Sequence, residues 1–164
     1  MRIDTPAPRC SAPSSPRTSR ATRGIPRHAL IVSSCIGALA ADRVAAAIAR
    51  GLSAGGRPDS DMLNLEDSTG DVGALLLESG FDARMRGARA VIIAVARLRE
   101  ETLAPSAAFE IATRARQSGV PAYALTAENR LDAFDARILD LQVIIEADGA
   151  RALTAAGRRL AKLL

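Results

Sequence analysis

A chain of 164 residues with 48% apolar content is long enough for one domain with a real core. It has no tryptophan and only Phe81, Phe109, Phe134 and Tyr123 as rings, which excludes an aromatic platform for stacking single-stranded nucleic acid. The net charge of +4 is local: residues 1–27 hold six arginines against Asp4 alone, a balance of +5, so the remainder sums to −1 and nucleic-acid binding by the folded part is not expected.

Residues 1–27, rich in Arg, Ser and Pro, carry too few apolar side chains to offset the entropy of ordering, and are expected to be disordered. An Arg- and Ser-rich leader poor in acids can be a targeting segment. It lacks an amphipathic stripe, so a segment without function or a start assigned too early fits equally. From His28 onward the pattern is that of a single α/β domain.

Ala29 to Val32 is a short unbroken apolar run, as in a strand buried on both faces of a parallel sheet. Ala40 to Ser53 reads as a helix with Val44, Ala45, Ile48 and Leu52 inward, stopped by Gly55-Gly56 and Pro58. Asp61 to Leu65 is a weaker strand. Asp71 to Ser79 reads as a helix ended by Gly80, and Phe81 to Arg86 as a turn or short helix. Ala90 to Val95 is the clearest strand. Then come a helix over Ser106 to Ser118, a strand over Pro121 to Thr126, a short helix over Ala133 to Leu139, a strand over Val143 to Glu146 and an amphipathic helix over Ala150 to Leu164. This alternation predicts a three-layer flavodoxin-like sandwich around a mostly parallel sheet of about five strands.

Two cysteines, Cys10 and Cys35, with one of them in the leader, give no disulfide framework. Cys35 is expected to be a small buried residue. His28, the one histidine, stands at the wrong end of its strand to activate it. The apolar runs fall far short of the roughly 20 residues that a membrane span needs. A cytoplasmic protein is expected, with no membrane partner. Lys162 is the one lysine among 22 basic residues, a compositional bias rather than a designed anion site.

In such sheets ligands sit beyond the carboxyl ends of the strands. The loops there hold Ser33 to Leu39, Glu66 to Gly70, Ala96 to Pro105 and Ala127 to Asp132. In the first, Ser33, Ser34 and Gly37 lead into a helix start whose N–H groups can hold an anion, although serines also serve as turn and cap formers. In the second, Glu66, Asp67, Ser68, Thr69 and Asp71 can bind Mg²⁺ or act as a base, or form a solvated turn. In the third, Arg97 and Arg99 can clamp a carboxylate or phosphate, or form an exposed turn with Glu100, Glu101 and Thr102. The fourth, Glu128-Asn129-Arg130, reads as a polar connection.

From Ala29 to Leu164 the chain resembles the family of glycerate kinases that has a flavodoxin-like domain interrupted by a second domain. The family's D-S-F-K-G-S-like loop stands here as Ser33-Ser34-Cys35-Ile36-Gly37, and its V-A-x-A-I-x-x-G helix as Val44 to Gly51. Its A-D-G-G-E-G-T loop is Glu66 to Asp71, and its G-F-D and G-A-D segments are Gly80-Phe81-Asp82 and Gly87-Ala88. Its A-R-x-x-G-V-P is Ala115-Arg116 with Gly119-Val120-Pro121. The resemblance implies ATP-dependent phosphorylation of glycerate or a similar hydroxy acid with Mg²⁺. It makes Asp67 the base or metal ligand and Arg97 a catalytic anion contact. Ser33, Ser34, Gly37, Ser68, Thr69 and Thr102 would bind substrate or phosphate.

The departures point the other way. The family's loop lysine is Ile36, an apolar side chain in an expected polar site. The acid of G-E-G-R is Val95, the following Asp is Arg99, and the G-K pair is Pro105-Ser106. The inserted domain is absent. Losing one electrostatic donor costs about 10²–10³ in rate, so activity is expected to be impaired. The alternative is a non-catalytic ligand-binding or interaction domain, alone or in a homo- or hetero-oligomer.

Overall fold

The computed structural model describes residues 28–65, 71–99 and 106–164. The elements alternate in chain order: β1 (Ala29–Ser33), α1 (Ala41–Ala54), β2 (Ser60–Asn64), α2 (Val72–Glu78), α3 (Phe81–Arg86), β3 (Ala90–Leu98), α4 (Ala107–Gln117), β4 (Ala122–Asn129), α5 (Ala133–Ile138), β5 (Leu141–Glu146) and α6 (Gly149–Leu160). The five strands form one sheet in the order β2-β1-β3-β4-β5, every pair parallel. This is the flavodoxin-like order.

Alternation along each strand divides the core into two layers. Ala29 and Ile31 of β1, Ala90, Ile92 and Ala94 of β3, and Tyr123 and Leu125 of β4 pack under α1 and α6. Leu30, Val32, Val91, Ile93, Ala122 and Ala124 face the other way, onto Leu76 of α2, Phe81 and Met85 of α3, and Ile111 and Ala115 of α4. The wholly apolar runs of β1 and β3 follow from this two-sided burial. At the edge of the sheet, Arg84 of α3 reaches β2. It donates to both Asp61 carboxylate oxygens at 2.6 and 2.8 Å and to the Met62 carbonyl at 2.7 Å.

Three boundaries differ from the sequence expectation by three residues or more. β3 and β4 run on to Leu98 and Asn129 and stay in register, Arg97 opposite Glu128 and Leu98 opposite Asn129. Residues 96–98 and 127–129 are therefore strand rather than loop. A sequence reading stops them early because their side chains turn polar where the neighbouring strands end. The last helix stops at Leu160, where Leu163 and Leu164 donate their N–H groups to the Leu160 carbonyl. This tighter turn folds Leu164 back into the core.

α1 and α6 meet backbone to backbone. A Cβ on Gly51 would lie 2.1 Å from the Thr154 carbonyl oxygen, and one on Gly157 2.4 Å from that of Ile48. One turn on, a Cβ on Gly55 would lie 2.4 Å from that of Ala161. A glycine inside a helix ordinarily costs about 0.5–1 kcal/mol relative to alanine. Here close approach reverses the sign. Gly51→Ala and Gly157→Ala are each expected to destabilise the protein by about 1–3 kcal/mol in urea unfolding; an increase in stability would contradict the contact.

Candidate strand-end anion site

β1 leaves the sheet at Ser33, opposite Ala94 of β3, and β5 ends at Glu146, opposite Thr126 of β4. β3 and β4 continue beyond both neighbours as a two-stranded ribbon at the carboxyl edge of the sheet. The order 2-1-3-4-5 switches direction between β1 and β3, where a crevice opens in this class of sheet. The ribbon stands beside that switch point.

On the ribbon, alternate positions 97 and 99 of one segment and 128 and 130 of the other share a face. Their side chains converge. The Glu128 carboxylate takes Arg97 at 3.3 Å, Arg99 at 3.1 Å and Arg130 at 2.5 Å. Arg99's hydrogen bond, supported by Arg130, holds the Glu128 carboxyl below the usual glutamate range despite partial desolvation. Three guanidinium groups thus gather on one carboxylate. The Arg97 and Arg130 side chains remain 63% and 70% exposed, so much of their donor capacity faces solvent. Thr126 braces the ribbon, its hydroxyl donating to the Ala96 carbonyl at 3.1 Å. Glu146 accepts the Asn129 N–H at 3.0 Å.

The first loop is closed on itself. The Ser33 hydroxyl is buried, donates to the Ala41 carbonyl at 3.0 Å and lies 3.2 Å from Asn64 Oδ1. Ser34 donates its N–H to the Ala94 carbonyl at 2.9 Å, with its hydroxyl 3.4 Å from the same oxygen. Ile36 and Leu39 exchange backbone hydrogen bonds of 3.0 and 2.9 Å across a two-residue turn. Gly37 takes φ +56° in that turn, and a Cβ there would lie 3.5 Å from the Asp148 carboxylate. Ile36 is therefore 1% exposed and part of the core. The expectation that it occupies a polar site is corrected: the turn carries it inward. Cys35 is half-buried rather than buried.

Of the other expected site residues, Arg97 is in the ribbon, whereas Asp67, Ser68, Thr69 and Thr102 lie outside the described residues. Asp71 and Ser106 act as helix caps, accepting N–H groups from Gly73 and Phe109. Glu128 and Arg130 were not legible as site residues. The signal lies in their spacing: Arg97-x-Arg99 and Glu128-x-Arg130 share a period of two, but only the strand pairing brings the two pairs face to face. Of the cationic donors that the resemblance implies for Mg·ATP, the described strand ends supply Arg97 and no lysine. Among the described residues, no group of three or more His, Cys, Asp or Glu could hold a metal ion. No described helix is long and apolar enough to cross a membrane.

No known protein family and no curated protein sequence matches the chain. Among solved structures the chain is similar to a de novo designed Rossmann 2x3 fold protein, determined by solution NMR. The two share 12% identity at a TM-score of 0.49, over 84% of this chain and 90% of the design.

The depressed Glu128 value carries a stability consequence with a definite sign. Its contribution is present above the unfolded glutamate value, near 4.5, and is lost as pH falls through the lower folded value. Glu128→Gln is expected to be less stable than the parent at pH 7, with a smaller gap at an acidic pH where the parent's carboxyl protonates. Urea midpoints at the two pH values measure this; an equal gap at both would contradict the ion cluster.

Proposed function

We propose that this chain is a ligand-binding α/β domain that takes a small carboxylate or phosphate anion at the ribbon of β3 and β4, without phosphoryl transfer. The observation that carries this reading is the gathering of three guanidinium groups on Glu128, with the Arg97 and Arg130 side chains largely exposed. An incoming anion competes with Glu128 for groups that are already gathered, so little side-chain entropy is lost on binding. Arginine forks suit the two oxygens of a carboxylate or phosphate. A small hydroxy acid of the glycerate type is the ligand class that the family resemblance adds.

Ile36 supports the non-catalytic half of the proposal. Phosphoryl transfer depends on cations and metal placed around the transferred group. At the position matched to the family's loop lysine, this chain has a buried aliphatic side chain inside a closed turn. ATP and Mg²⁺ as cofactors, and Asp67 as base, are supported by the resemblance alone.

Two measurements test the reading together. A coupled assay with glycerate and Mg·ATP is expected to show no turnover. Thermal denaturation with glycerate or inorganic phosphate is expected to show a raised Tm, the shift disappearing in Arg97→Ala/Arg130→Ala. Turnover abolished by Asp67→Ala would instead restore the kinase reading, and the lack of any anion-dependent shift would remove the binding site.

A further inference from the structure

The −1 sum over residues 28–164 conceals a segregation of charge. Segments 41–57 and 148–164, which build α1, α6 and their flanks, hold seven cations against Asp42 and Asp148, a balance of +5. The rest of residues 28–164 holds nine cations against fifteen carboxylates, a balance of −6. Elsewhere among the described residues, five of the nine cations stand in ion pairs: Arg84 with Asp61, Arg114 with Asp82 and Glu110, and the three ribbon arginines with Glu128. On α1 and α6 the one ion pair among the described residues is Arg43 with its neighbour Asp42, at 3.9 Å.

Helical periodicity sets these cations in two rows. Arg43 and Arg50 are seven residues apart on α1, and so are Arg151 and Arg158 on α6, two turns or about 10 Å in each case. Lys162 follows the second row in the turn after α6, its N–H donating to the Arg159 carbonyl at 3.2 Å. Arg57 extends the first, donating to the Ala161 carbonyl at 3.5 Å. All but Arg57 are exposed. The backbone contact at Gly51 and Gly157 brings the rows side by side. Both helices bury their apolar stripes on the sheet: Val44, Ile48 and Leu52 from one, Leu153, Ala156 and Leu160 from the other.

We propose that this outer face of α1 and α6 binds the phosphodiester backbone of duplex nucleic acid, without reading sequence. A protein partner requires an apolar or aromatic anchor at the centre of the contact, and stable membrane docking requires apolar insertion beside the charge. Leu163, at the end of the second row, is the one large apolar side chain exposed there. A phosphate backbone requires no such anchor. It is bound through cations alone, and it presents one charge per about 1.7 Å of helix axis to the two rows. This binding is independent of the anion site on the ribbon.

The test is fluorescence anisotropy of a mixed-sequence duplex DNA with the full chain over a range of salt. The expected Kd is about 10⁻⁴–10⁻⁶ M at physiological salt, with a log–log salt slope near −5 for six phosphate contacts. Arg50→Glu/Arg158→Glu/Lys162→Glu is expected to weaken binding by about tenfold or more and to reduce the slope by about 3. The triple Gln variant keeps the effect readable if charge reversal impairs folding, which a thermal melt reports. Arg17→Gln/Arg20→Gln/Arg23→Gln, in the leader, is expected to retain the helix-face slope. Binding lost with the leader substitutions and unchanged by the face substitutions would overturn the proposal. So would absence of duplex binding alongside face-dependent binding to phosphatidylserine-containing vesicles.

Discussion

Strand β1 is buried along its whole length and paired in parallel on both sides, with β2 and with β3 in continuous register. That placement fixes much of the rest. A parallel neighbour requires a crossover, so α1 and the following helices must cover the two faces of the sheet, and all five strands end on one edge. β1 and β5 end early on that edge, and β3 and β4 do not. The ribbon is thus a consequence of unequal strand length at the centre of an all-parallel sheet. Its arginines stand at the strand ends because no neighbouring strand covers them there.

The helical layer beside it obeys a second constraint. Gly51, Gly55, Gly157 and Ala161 remove the side-chain bulk that would hold α1 and α6 apart. The same contact sets two rows of cations next to each other, while the sheet takes up every large apolar side chain of these helices except Leu163. Packing and surface charge are in this way two sides of one pair of helices. α5 shows the opposite situation. It is short, contributes no buried residue, and leaves Phe134 70% exposed.

Most of the fold was legible in the sequence because hydrophobic periodicity registers burial directly. The run at Ala29, the inward stripe of α1 and the stops at Gly80 and Gly119 each identify an element to within a residue or two, and the run at Ala90 identifies where β3 begins. What stayed hidden depends on partners distant in sequence. Arg97 and Glu128 look like loop residues until β3 and β4 are paired, since exposure at a strand end removes the apolar signal. Gly51 inside a helix reads as a propensity cost until Thr154 is seen against it. Ile36 reads as an intruder in a polar loop, while the turn at Gly37 makes it core. Net charge fails for a related reason: a sum over the chain is blind to which face each side chain occupies.

The account stands on the gathered arginines at the carboxyl edge being a place where an anion exchanges with Glu128. Amide and guanidinium NMR spectra recorded during titration with glycerate or phosphate report on this directly. Saturable shifts concentrated at Arg97, Arg99 and residues 126–130 are predicted, with the Arg97 and Arg130 Nε–H signals moving most. Shifts spread evenly over exposed arginines, or centred on the α1 and α6 face with the ribbon silent, would contradict it.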